Sequence, residues 1–116
     1  MTVFNVLHDA PAPQPDKNRP GVKRLLQDDG ANLIAFTFSP GQSLPDHRAA
    51  HPITVTAFSG QLTFSYGEET FELSPGVTVH LEAGVTHRVD CPPEAPGDAV
   101  MLLTMLTGEK HSVNQA

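Results

Sequence analysis

Three histidines raise the first question. His47, His51 and His87 fall within the stretch Gly41 to His87, where glycine- and proline-rich turns join short apolar runs. Imidazole nitrogen is a common metal donor and a proton carrier near neutral pH. Three such donors with one open position would make a catalytic first-row metal site. Two of them in an apolar recess would instead anchor a small organic molecule. The residue types leave both chemistries open. Backbone geometry bears on the first. His47 and His51 are four residues apart, and on an extended strand that is ~13 Å along one face. Both reach one ion only if Arg48-Ala49-Ala50 bends. His51 also precedes Pro52, which favours an extended backbone at 51.

Other candidates have a plainer alternative. Asp46 either orients a neighbouring imidazole or is a solvated turn carboxylate. Arg48 and Arg88 each follow a candidate histidine, so alternation turns them to the opposite face, toward the surface or a subunit contact. Gln61 directly follows Gly60 and either faces a ligand or faces out. His80 alternates with Thr78, and parity leaves its direction open. Tyr66, the single tyrosine, reads as core or interface. Cys91 as a nucleophile would need a nearby base and a lowered pKa; a buried, inert thiol is the simpler reading. His8 and His111 sit near the termini and read as exposed.

Composition narrows the class. The chain has 116 residues, enough for one domain with its own core. Lys and Arg number 7 against 13 Asp and Glu, a formal net charge of −6, and no basic cluster stands out. Phosphate binding needs a positive footprint, so nucleic acid is excluded as the expected partner. One cysteine forbids an intrachain disulfide. Met1 to Asn5 lacks a signal-peptide pattern, and the longest apolar run, Ala99 to Leu106, is too short to span a membrane. A cytoplasmic protein without a membrane partner is the expectation.

The elements that must position these residues read as strands. Val3 to Leu7 is a short candidate strand, followed by a Pro-rich arm through Pro20 (residues 1–20 together). The arm either carries that strand to a partner subunit or wraps its own domain. Val22 to Gln27 and Asn32 to Phe38 flank Asp28-Asp29-Gly30, a hairpin signal. In the second run Ile34, Phe36 and Phe38 share one face. Further strands are expected at Ile53–Ser59, Gln61–Tyr66, Thr70–Leu73, Val77–Leu81, His87–Cys91 and Asp98–Thr107. A polar tail covers 108–116. Strands every 8–12 residues with Gly or Pro between them, and no sustained helical period, predict an all-β sandwich or barrel over 21–107.

Gly41-x5-His47, Gly60, and Gly76-x5-Glu82-x-Gly84-x2-His87 together resemble the two-motif signature of the cupin superfamily. The usual motifs are Gly-x5-His-x-His-x3 or 4-Glu-x6-Gly and Gly-x5-Pro-x-Gly-x2-His-x3-Asn. The run Gly60-Gln61-Leu62 to Leu73-Ser74-Pro75-Gly76 is similar as well. The resemblance covers about residues 20–107. It implies a double-stranded β-helix, or jelly-roll barrel, and a homodimer. In register, His47 and His87 hold histidine positions. Ala49 stands at the second histidine position and Ile53 at the glutamate position. Glu82 replaces the usual proline and Cys91 the usual asparagine.

Two functions follow as expectations. One is a barrel pocket for a small molecule, lined by His47, Ile53, Val55, Gln61 and His87. The other is a metal-dependent enzyme of dioxygenase, isomerase or lyase type, with one divalent ion (Zn, Ni, Fe or Mn) on His47, His51 and His87. Loss of the carboxylate weakens iron or manganese more than zinc or nickel. A third role would rest on dimer formation through the N-terminal arm.

Overall fold

The computed structural model describes residues 1–108. The expected polar tail lies outside the described residues except for Gly108. Among the described residues nine strands form two antiparallel sheets. They are β1 (Gly21–Asp28), β2 (Ala31–Phe38), β3 (Ser43–His47), β4 (Ile53–Ser59), β5 (Leu62–Tyr66), β6 (Glu69–Leu73), β7 (Thr78–Leu81), β8 (His87–Asp90) and β9 (Ala99–Leu106). One sheet runs β1-β2-β9-β4-β7 and the other β3-β8-β5-β6. Their inner faces enclose the core of an all-β, double-stranded β-helix.

Alternation explains which residues fill that core. In β4, Ile53, Val55 and Ala57 are buried, while Phe58 on the other face is exposed. Leu62 and Phe64 of β5 meet Phe36 and Phe38 of β2 within the same apolar cluster. Burying each large side chain of this kind contributes roughly 1.5–3 kcal/mol.

Turn chemistry fixes the corners. Gly30 closes the β1–β2 hairpin with φ +98°. Gly60 (φ +79°) ends β4 so close to β9 that an added Cβ would lie 2.5 Å from the Asp98 carbonyl oxygen. The ladder slips between Ala57 and Ser59 there. The Ser59 hydroxyl compensates by accepting from the Val100 N–H at 3.2 Å.

Two local expectations change. Val3 to Leu7 is not a strand. A single helical turn, α1 (Val6–Asp9), forms instead. Asn5 caps it, its side chain accepting from the His8 N–H at 3.1 Å. The Asp9 carboxylate accepts in return from the Asn5 N–H at 3.1 Å. Reciprocal capping satisfies donors that a strand without a neighbour would leave to water. Conversely, Ser43–His47 is a strand where the sequence suggests only a turn. Pro45 lies within it, which a sheet tolerates at an edge. Among the described residues β3 is such an edge, pairing with β8 alone and with an irregularity between Leu44 and His47.

The arm wraps its own domain. Thr37 donates its hydroxyl to the Pro11 carbonyl at 2.7 Å. The buried Gln42 amide donates to the carbonyls of Gln14 at 2.9 Å and Lys17 at 2.8 Å. Its oxygen accepts from the Ser39 N–H at 2.7 Å. Among the described residues no helix is long and apolar enough to cross a membrane.

Candidate functional site

Strand direction sorts the loops to the two ends of the barrel. Turns 29–30, 48–52, 67–68 and 82–86 lie at one end, and 39–42, 60–61, 74–77 and 91–98 at the other. His47 ends β3 and His87 begins β8, so both come to the first end. They are cross-strand ladder partners. Their ring centroids are 4.4 Å apart with the planes inclined at 56°. His87 is also flanked in the ladder by Tyr66 of β5. In the opposing sheet the row at this end is Leu81, Ile53, Met105 and Asn32.

The two imidazoles are held alike. Nδ1 of His47 is 2.9 Å from the Pro45 carbonyl, and Nδ1 of His87 is 3.0 Å from the Val85 carbonyl. A carbonyl only accepts, so each Nδ1 carries the proton. In the neutral ring Nε2 is then the free acceptor. Asp46 does not orient either ring; the backbone carbonyl two residues back does. His87 is buried and its ring lies parallel to Phe64, 5.5 Å between centroids and 6° between planes. Burial pushes its pKa below 6.5, and the neighbouring His47 adds to the shift while the Val85 carbonyl opposes it. His87 therefore stays neutral at physiological pH. His47 is exposed.

The remaining candidates divide. Ile53 and Val55 are each 1% exposed and belong to the packed core; Ile53 stands below the mouth and Val55 deeper. Gln61 does not join the histidines. It sits in the turn after β4, at the far end, exposed and beside Pro92 and Phe71 in a separate hollow of about 330 Å³. A strand runs ~3.3 Å per residue, so the seven residues of β4 carry the chain away from Ile53. The chain does bend at Ala50 and His51. Even so, no group of three or more His, Cys, Asp or Glu side chains suited to a metal is found among the described residues. Ile53, at the position where a carboxylate would complete the set, offers only hydrocarbon. The donors present fall short of what a tightly held first-row ion requires.

An open hollow of about 450 Å³ lies on the rim, lined by Arg48, Ala49, Ala50, Ala83 and Gly84. The Gly84 N–H donates to the Ala49 carbonyl at 2.9 Å and ties these two loops together. Arg48, assigned by alternation to the surface, thus lines the rim of the mouth end. Arg88 does serve the surface, donating to Asp90 at 2.7 and 2.8 Å. That contact, with help from Ser43, holds the Asp90 carboxyl below its ordinary 3.8. His80 faces out. Cys91 is 2% exposed, and burial pushes its thiol up, which disfavours the thiolate a nucleophile needs. The sequence reading passed over Asn32. Its signal was parity, since it is the polar residue in phase with Ile34, Phe36 and Phe38.

Two sheets closing into a double-stranded β-helix, with histidines from β3 and β8 at one mouth, define a cupin-type barrel. The Cupin_2 family ("Cupin domain") matches residues 35–105, more than half of the chain, and the protein belongs to it. A protein with a double-stranded β-helix domain from Klebsiella pneumoniae superposes with TM-score 0.76 at 19% identity, covering 93% of this chain and 91% of that one. An RmlC-like cupin protein from Desulfovibrio desulfuricans gives 0.75 at 22% identity, covering 92% and 97%. A cupin 2 conserved barrel domain protein from Leptotrichia buccalis gives 0.75 at 23% identity, covering 89% of this chain and 47% of that one. A search of the curated proteins returned no match.

Proposed function

We propose that this cupin binds a small organic molecule at the mouth between His47 and His87, and holds a divalent ion there only weakly. The observation that carries the reading is the matched pair: two rings 4.4 Å apart, each with Nδ1 tied to its own backbone. That arrangement fixes both Nε2 lone pairs before any ligand arrives, which lowers the ordering cost of binding. Apolar Ile53 beneath them supports an organic ligand over a hard ion. Zn, Ni, Fe or Mn on two imidazoles would be a loose complex. A metal-dependent enzyme on His47, His51 and His87 needs a third donor that the described geometry does not bring to the pair. A homodimer, which the family resemblance implies, is part of the same reading, and the net charge of −6 argues against nucleic acid.

The test starts from protein purified without chelator or a histidine tag. Metal content well below one equivalent is expected. Zn, Ni, Mn or Fe at ~0.1 mM should add less than about 1 kcal/mol of stability, where a tight site would add several. A thermal-shift screen of small polar molecules should find hits that His47→Ala loses. His47 is exposed, so its truncation spares the core. Close to one equivalent of metal that is lost in His47→Ala, or hits that survive in that variant, would overturn the proposal.

A further inference from the structure

We propose that Asn32 is a ligand-binding residue of this mouth, and that the ligand it selects carries at least two O–H or N–H donors. The inference rests on the reading of the histidine mouth given above and names the chemistry of what enters it.

The side-chain oxygen of Asn32 is buried and has no hydrogen-bond partner among the described residues. A buried carbonyl left unpaired is costly, and native proteins rarely keep one without a use. Alternation along β2 turns Asn32 the same way as Ile34, Phe36 and Phe38, toward the interior. Its ladder partners are Gln27 of β1 and Met105 of β9, and the other neighbour of Met105 is Ile53. Asn32 therefore belongs to the inner row at the histidine end. β2 passes into β3 through the turn Ser39–Gln42, so the two strands run side by side in opposing sheets, ~10 Å apart face to face. Asn32 near the start of β2 and His47 at the end of β3 thus lie at the same end of the barrel.

The polarity of the site sets the ligand class. His47 and His87 each offer Nε2 as an acceptor in the neutral ring, and burial keeps His87 neutral. The Asn32 oxygen is a further acceptor. Acceptors converging on one space are satisfied by donors. A carboxylate brings only lone pairs and is disfavoured by the same geometry. Leucine has nearly the shape of asparagine, so Asn32→Leu removes the amide without opening a cavity.

The experiment compares wild type, Asn32→Leu and His47→Ala by saturation-transfer NMR. Glycerol and ethanolamine serve as donor probes and acetate as the acceptor-only probe, all in the millimolar range expected of molecules this small. Glycerol or ethanolamine should bind wild type and acetate should not. Asn32→Leu should weaken the donor probes by about 5- to 10-fold, the net worth of one hydrogen bond. Its melting temperature should stay level or rise by a few degrees, because an unpaired buried acceptor has gone. A structural asparagine would do the opposite, so a lower melting temperature with unchanged probe binding overturns the inference. If Asn32→Leu fails to fold, Asn32→Ala takes its place under the same criteria. Equal binding of acetate also overturns it. Donor binding lost in His47→Ala but retained in Asn32→Leu leaves the histidine mouth standing and removes Asn32 from it. Donor binding unaffected by either substitution removes both.

Discussion

Replacing Gln42 with alanine tests how the N-terminal arm is held. The Gln42 side chain is 3% exposed and makes three hydrogen bonds, to the Ser39 N–H and to the Gln14 and Lys17 carbonyls. Each is worth about 0.5–1.5 kcal/mol net. The losses are unequal. Lys17 is exposed, so water replaces its partner at little cost. Ser39 is 3% exposed, and its N–H is left unpaired, which carries the larger penalty of about 1–3 kcal/mol. Together these give about 2–4 kcal/mol, or roughly 6–16 °C in melting temperature for a domain of this size. Urea denaturation measures the first quantity and calorimetry the second. Trypsin supplies the local readout, since the bond after Lys17 should be protected in the wild type and cut early in Gln42→Ala while the barrel stays intact. A loss below about 0.5 kcal/mol with unchanged cleavage would refute the reasoning. So would a loss that varies with protein concentration, because the arm would then be bonded to a neighbouring subunit.

Gly60→Ala should be severe, because a Cβ there meets the Asp98 carbonyl oxygen at 2.5 Å and the Ala99 Cα at 2.6 Å, both backbone, at φ +79°. About 2–5 kcal/mol is expected from denaturant curves. Gly67→Ala, at φ +59° with nothing within 4 Å of the added Cβ, should cost only the conformational strain of about 1 kcal/mol. Stability should also fall with acidification through His87. Its folded pKa lies below 6.5, so the unfolded chain binds the proton first. The free energy of unfolding therefore drops as pH falls from 6.5 toward the folded pKa and is flat, for this group, outside that window. Urea midpoints across the window, with His87→Phe losing that slope, check it.

The barrel was legible because its signals are local and repeated. Glycines at 41, 60, 76 and 84 all take positive φ, and β-branched residues alternate between them. The expected strand Ile53–Ser59 matches β4 residue for residue. Misreadings came where a nearby hydrogen bond outweighs propensity. Val3 and Val6 suggest a strand, yet Asn5 and Asp9 close a helical turn on each other. Pro45 disguises β3, because a proline argues against a central strand and says nothing against an edge. The site was half legible. His47 and His87 are adjacent because β3 pairs with β8, a contact over 40 residues that spacing alone does not disclose. Gln61 lies at the wrong end because strand length, not proximity to a motif glycine, decides which mouth a residue reaches. Asn32 and Gln42 look alike in a sequence. Only their partners separate them, since Gln42 has three and the Asn32 oxygen has none among the described residues.

The edge position of β3 makes the histidine pair asymmetric. His87 rides on β8, which is bonded on both sides, to β3 and to β5. His47 rides on the end of a strand bonded, among the described residues, on one side only, just past an irregularity in its ladder. Local opening at this end should therefore begin on the His47 strand rather than on the His87 strand. Amide exchange should be faster through β3 than through β8.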